Sequence, residues 1–240
     1  MASIVFLGHS HGKHFASYLH SPAARLKGDL ANFGIGADIL NFCEGGRRVL
    51  ECFTELPRID RLPSPPDVVV IIIGDNDMGF PSQGHAAETR TSETTVAHQI
   101  INLARTVLMS TSRKTQVIIL GLLPRPEDVP AGSQRDGTRR FHHKDYNNWA
   151  AGVNSALFRF IHGTSQAHIQ GPYQGRIQFL SHKEPLQLRE GQLPIDAFKT
   201  GGILFRKKNI HLSNEGQHQL YALLCPAIQQ AVMKARTILH

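Results

Sequence analysis

Val68 through Ile73 is an unbroken run of six β-branched aliphatic residues, and no other stretch of the chain restricts its fold as much. As a strand it has no polar side, so both faces must be covered, which is the situation of a strand inside a parallel sheet flanked by helices. The strand read over Asp67–Ile73 has three companions of similar character, Ser3–Leu7, Ala37–Phe42 and Thr115–Leu120, and a weaker fifth at Arg176–Leu180. Between them, His14–Leu26, Arg48–Ile59, Glu88–Met109, Lys144–Ile161 and Asn214–Leu239 repeat their apolar residues at three- and four-residue steps, the period of an amphipathic helix. Strand and helix alternate. That order predicts an α/β fold, a three-layer α/β/α sandwich around a central parallel sheet of about five strands. Ser64-Pro65-Pro66 and Pro124–Gly137 read as loops, and Gln170–Gly202 is rich in Gly, Pro and Gln without a clear period.

With 240 residues the chain can bury a large core as a single domain over 1–240 without disulfides. Its 41% hydrophobic and 19% charged residues are ordinary for a globular protein, and no segment approaches the ~20 apolar residues of a membrane helix. No basic stretch precedes an apolar core at the amino end, so a secretory signal is not expected and the predicted location is intracellular, cytoplasmic or nuclear. Cys43, Cys52 and Cys225 have no metal-like spacing, and their odd number fits buried, reduced thiols. A formal charge of +7 leaves a nucleic-acid or other polyanion partner open, although Arg47-Arg48, Arg139-Arg140 and Arg206-Lys207-Lys208 are short groups without interleaved aromatics. His9, His11 and His14 share one turn and His142-His143 form a pair, but neither group has a carboxylate or cysteine at zinc-like spacing. Neither a metal nor a cofactor is expected.

Ligands of such a sheet bind beyond the carboxyl ends of its strands. Those ends carry Gly8-His9-Ser10, Glu44-Gly45-Gly46, Gly74-Asp75-Asn76-Asp77 and Gly121-Leu122-Leu123-Pro124. Gly8-His9-Ser10-His11-Gly12 reads G-x-S-x-G, yet the nucleophile elbow of an α/β-hydrolase comes mid-chain after several strands, and here only seven residues precede it. The match of Gly12 is then coincidental. Ser10 instead sits at the first strand-to-helix turn, ahead of a helix beginning near Lys13 whose amino end can stabilise developing negative charge.

The arrangement resembles the SGNH (GDSL-like) hydrolases, whose fold is flavodoxin-like. Their first block, G-D-S, corresponds to Gly8-His9-Ser10, and the glycine of their second to Gly46 or its neighbour Gly45. Their third block, G-x-N-D, is matched in full by Gly74-Asp75-Asn76-Asp77. Their last, D-x-x-H before a closing helix, is similar to Lys208-Asn209-Ile210-His211, with a lysine where the acid stands. The G-H-S variant and "GLLPRP" resemble the hydrolase domains carried by some eukaryotic retroelements.

The resemblance implies a serine esterase acting on small acyl, acetyl-type esters through an acyl-enzyme, with no cofactor. Ser10 would be the nucleophile, His211 the base, and the backbone amides of Ser10 and Gly46 with the side chain of Asn76 the oxyanion hole. Lys208 leaves three outcomes open: Asp196, Glu184 or Glu190 orients His211; a Ser-His dyad works with a backbone carbonyl; or the chain is a weakened or silent relative acting as a basic nucleic-acid or polyanion module. Each residue also has a plainer role. Ser10 is a possible helix cap, Gly45-Gly46 a tight turn, Asn76 a turn residue, and His211 a surface histidine ahead of a Ser213 cap.

Overall fold

The computed structural model describes residues 1–21, 24–78, 91–125, 143–163, 173–180 and 212–237. Strands β1 (Ala2–Gly8), β2 (Ala37–Cys43), β3 (Val68–Ile72), β4 (Gln116–Leu120) and β5 (Ile177–Leu180) form one sheet in the order β2-β1-β3-β4-β5. Every pairing is parallel. The helices are α1 (Ser10–Tyr18), α2 (Leu26–Ala31), α3 (Leu56–Asp60), α4 (Glu93–Ser110), α5 (His143–His162) and α6 (Asn214–Thr237), with a 3₁₀ stretch at Leu50–Glu55.

The β-branched runs are explained by what lies above and below them. Val69 and Ile71 of β3 enter one apolar cluster with residues of α3, α4 and α5, while Val68, Val70 and Ile72 enter another with α1, α2 and α6. Burying such a side chain contributes about 1.5–3 kcal/mol, so a strand buried at all five positions is a firm platform for the turn that follows it. β2, at the edge, keeps Asp38 and Asn41 exposed.

The starts of α1 and α4 differ from their sequence expectations. The helix expected over His14–Leu26 begins four residues earlier, at Ser10, and stops at Tyr18, short of Pro22, a residue type that ends helices at or before the position preceding it. α4 begins at Glu93 rather than Glu88, because the Ser92 side chain caps it by accepting from the Thr95 amide at 3.2 Å. Cys52 and Cys225 are buried and Cys43 half-buried, all three as free thiols. Burial holds them protonated, with Cys52 pushed up to about 12. No helix among the described residues is long and apolar enough to cross a membrane.

Candidate active site

From β1 the chain passes to its neighbour β2 on one side, and from β3 to β4 on the other, so the sheet has its topological switch point between β1 and β3. In register, Gly8 stands between Cys43 and Ile72, which brings the turns after β1, β2 and β3 to one edge. Backbone bonds join them: the His9 amide donates to the Ile72 carbonyl and the Glu44 amide to the Gly8 carbonyl, each at 3.0 Å. Gly8 has φ 151°, and a Cβ there would lie 1.8 Å from the Ile72 carbonyl oxygen. Gly12 has a packing reason of its own, since a Cβ would come within 2.6 Å of Cys43 Sγ where α1 crosses the sheet.

Ser10 is the first residue of α1 and half-buried, but it is not the cap. His9 takes that position, its Nδ1 accepting from the His11 amide at 3.2 Å. The second and third blocks are clamped together. Gly46, at φ 79°, reverses the chain in the left-handed region, and the next carbonyl, that of Arg47, accepts from Asn76 Nδ2 at 2.9 Å. An amide nitrogen carries two hydrogens, so this bond fixes the direction of the second. Asp77 accepts from the Val49 amide at 3.1 and 3.3 Å. Arg47 lies inside, donating to Phe42 O, Glu44 and Glu55, and so does not belong to an exposed basic face.

Burial pushes the Asp77 carboxyl up to about 7, despite the Val49 amide and Arg48. Its folded value lies above its unfolded one, so the stabilisation belonging to the protonated form is complete below about pH 4 and is lost as pH rises through 7. Asp77→Asn mimics that form and keeps an acceptor for Val49. Urea unfolding should show it level with wild type at pH 4 and more stable by about 1–3 kcal/mol at pH 8.5. A difference independent of pH would contradict the assignment.

Behind these turns lies a buried polar cluster. The carboxylate of Asp75 accepts at Oδ1 from the Tyr146 hydroxyl (2.8 Å), and its Oδ2 faces Nε2 of His9 (3.3 Å) and of His11 (3.5 Å). The Arg125 guanidinium lies 4.0 Å over the Tyr146 ring and reaches the Asp75 carbonyl at 3.4 Å. Burial alone would raise the Asp75 carboxyl, but His9, His11, Arg125 and the Tyr146 hydroxyl outweigh it and hold the group below the ordinary carboxylate range. Burial lowers His9, whose imidazole is therefore held neutral. A small void of about 10 Å³ lies beside the cluster, lined by His9, His11, Asp75, Ile73, Leu120 and Leu123 among others.

Sequence reading brought Ser10, Gly46 and Asn76 to this edge, and the structure places all three turns there. His211, Lys208, Glu184, Glu190 and Asp196 lie outside the described residues. Leu212, next to His211, is buried, and Ser213 caps α6 by accepting from the Gly216 amide at 3.1 Å. The cluster around Asp75 was missed. A signal for its supports was present in α5: Asn147 and Asn154 are seven residues apart on one face, and each pairs its side-chain amide with the backbone after β4, at Arg125 and Leu122.

No family model and no curated protein sequence matches this chain. Solved structures do, over nearly its whole length. It is similar to a GDSL-like lipase from Bacteroides thetaiotaomicron, with TM-score 0.59 and 18% identity over 95% of this chain and 88% of that one. A lipase/acylhydrolase from Enterococcus faecalis matches with TM-score 0.54 and 17% identity, covering 96% of each chain. An acetyl xylan esterase matches with TM-score 0.55 and 15% identity over 94% and 99%. The chain thus has the α/β fold of the GDSL-like, or SGNH, hydrolases. That fold is one shared with esterases and acylhydrolases.

Proposed function

We propose that this chain is a serine esterase that cleaves small acyl, acetyl-type esters through a covalent acyl-enzyme. Ser10 Oγ attacks the ester carbonyl while His211 takes its proton. The resulting oxyanion is held by the Ser10 and Gly46 amides and by the Asn76 hydrogen left over from the Arg47 bond. On collapse the ester C–O bond breaks, and His211 returns the proton to the departing alkoxide. Water, deprotonated by the same imidazole, then adds to the acyl-serine and releases the acid and Ser10.

The observation that favours this reading most is the combination at the turn after β1. His9 caps α1 in place of Ser10, which removes the plainer explanation for a serine there, and Asn76 is anchored to the Gly46 turn alongside it. With Lys208 where the family has its acid, a Ser-His dyad is the minimal machinery, and turnover well below that of a full triad is expected.

Intact-mass labelling with a fluorophosphonate tests the reading without a choice of ester. Wild type should gain one adduct that both Ser10→Ala and His211→Ala lose. Folded wild-type protein that gains none would overturn the hydrolase assignment.

A further inference from the structure

We propose that Asp75 is a positioning residue: through His9 and His11 it fixes the serine turn against the turn that carries Asn76. This rests on the reading of Ser10 as nucleophile and adds to it a component that the G-x-N-D pattern leaves unspecified.

The Asp75 side chain faces both neighbours of Ser10, at 3.3 Å from His9 and 3.5 Å from His11. It is also the residue immediately before Asn76. Its carboxylate therefore spans the two places where attack and charge stabilisation would have to be in register. The hydrogen-bond pattern sets the His9 tautomer. Nδ1 accepts from the His11 amide, so the proton sits on Nε2, the nitrogen 3.3 Å from the Asp75 carboxylate. With both ring nitrogens engaged, His9 has no lone pair with which to act as the base for Ser10.

The other side of Asp75 is held from α5 and from the segment after β4. Tyr146, fully buried, donates its hydroxyl to Oδ1, and Arg125 closes over the Tyr146 ring. Asn147 grips the Arg125 backbone at both ends, at 2.7 and 3.0 Å. A buried ionised carboxylate is costly unless its bonds are satisfied, and a neutral side chain of like shape would pack here at lower desolvation cost. What a carboxylate adds is a negative charge to which Tyr146 donates and which both His9 and His11 face, joining β1, β3 and α5 at one point. Displacements of about 1 Å in a reacting geometry cost on the order of 10²-fold in rate, so the brace acts on turnover far more than on substrate affinity.

Two substitutions at His9 separate the brace from the helix cap. In His9→Asn the side-chain oxygen replaces Nδ1 as cap but is too short to reach Asp75. In His9→Gln the longer amide places its N–H where Nε2 was and gives up the cap. If Asp75 positions the serine turn, His9→Asn should lose about 10- to 100-fold in fluorophosphonate labelling rate and in kcat for p-nitrophenyl acetate, with KM within about twofold. His9→Gln should stay within about threefold of wild type despite the lower Tm that goes with a lost cap. The reverse order, or wild-type rates in His9→Asn, would overturn the positioning role. Should His9→Asn not fold, Tyr146→Phe removes one donor from Asp75, and an unchanged labelling rate there overturns it equally. An unlabelled, folded wild type would instead remove the esterase reading, so the two failures are distinct.

Discussion

Replacing Gly8 with alanine should leave little folded protein. The added Cβ would lie 1.8 Å from the Ile72 carbonyl oxygen and 2.6 Å from its carbon, both backbone atoms of the central, fully buried strand β3. Relief needs a movement of more than an ångström, but β1 is paired along its length to β2 on one side and β3 on the other. The φ of 151° adds a strain of about 1–3 kcal/mol for any residue with a side chain. Together these place the loss above about 4 kcal/mol, a large part of the 5–15 kcal/mol by which a domain of this kind is stable. Soluble yield and chemical unfolding measure it. A Gly8→Ala protein within about 1 kcal/mol of wild type would mean that the approach of Gly8 to β3 is built differently.

Asn76→Ala should lower kcat by about 10²–10³ while leaving KM nearly unchanged, because an oxyanion donor acts on charge that exists only in the transition state. It also removes the bond to the Arg47 carbonyl, so the Gly46 turn loses one of its ties. The other remains, since Asp77 still accepts from Val49. Folding should survive, at a cost of about 1 kcal/mol for a net hydrogen bond. Steady-state kinetics on p-nitrophenyl acetate separates the outcomes: equal rates in variant and wild type would make Asn76 a turn residue alone. A rise in KM with kcat intact would place it against the substrate rather than the oxyanion.

These expectations rest on parts of the chain that were legible to different degrees. The strands are legible almost to the residue because β1, β3, β4 and β5 are short, apolar and almost wholly buried, and β2, though half-exposed at the edge, keeps an apolar run over Ile39, Leu40 and Phe42. The start of α1 could not. Its cap is an imidazole, a residue type outside the Ser, Thr, Asp and Asn group that marks helix starts, and so the sequence alone points to a start near Lys13. The 3₁₀ stretch at Leu50–Glu55 and the short α3 read as one helix in the sequence, since both periods place apolar residues three or four apart. The three turns were found because the sheet topology dictates where they meet. The Asp75 cluster was not, because its partners come from residues 9, 11, 125 and 146, and only the folded sheet brings them together.

Trp149 gives that cluster an optical reporter. It is the chain's single tryptophan, fully buried, with its indole N–H donated to the Thr91 carbonyl and the Tyr146 ring centred 6.0 Å away. Fluorescence excited at the red edge of absorption therefore comes from one position, one aromatic ring removed from the carboxylate. A shift of that emission to longer wavelength signals water reaching the indole as α5 loosens. Emission from an unmodified protein can thus be followed beside turnover, showing whether a lost rate came with a loosened wall or an intact one.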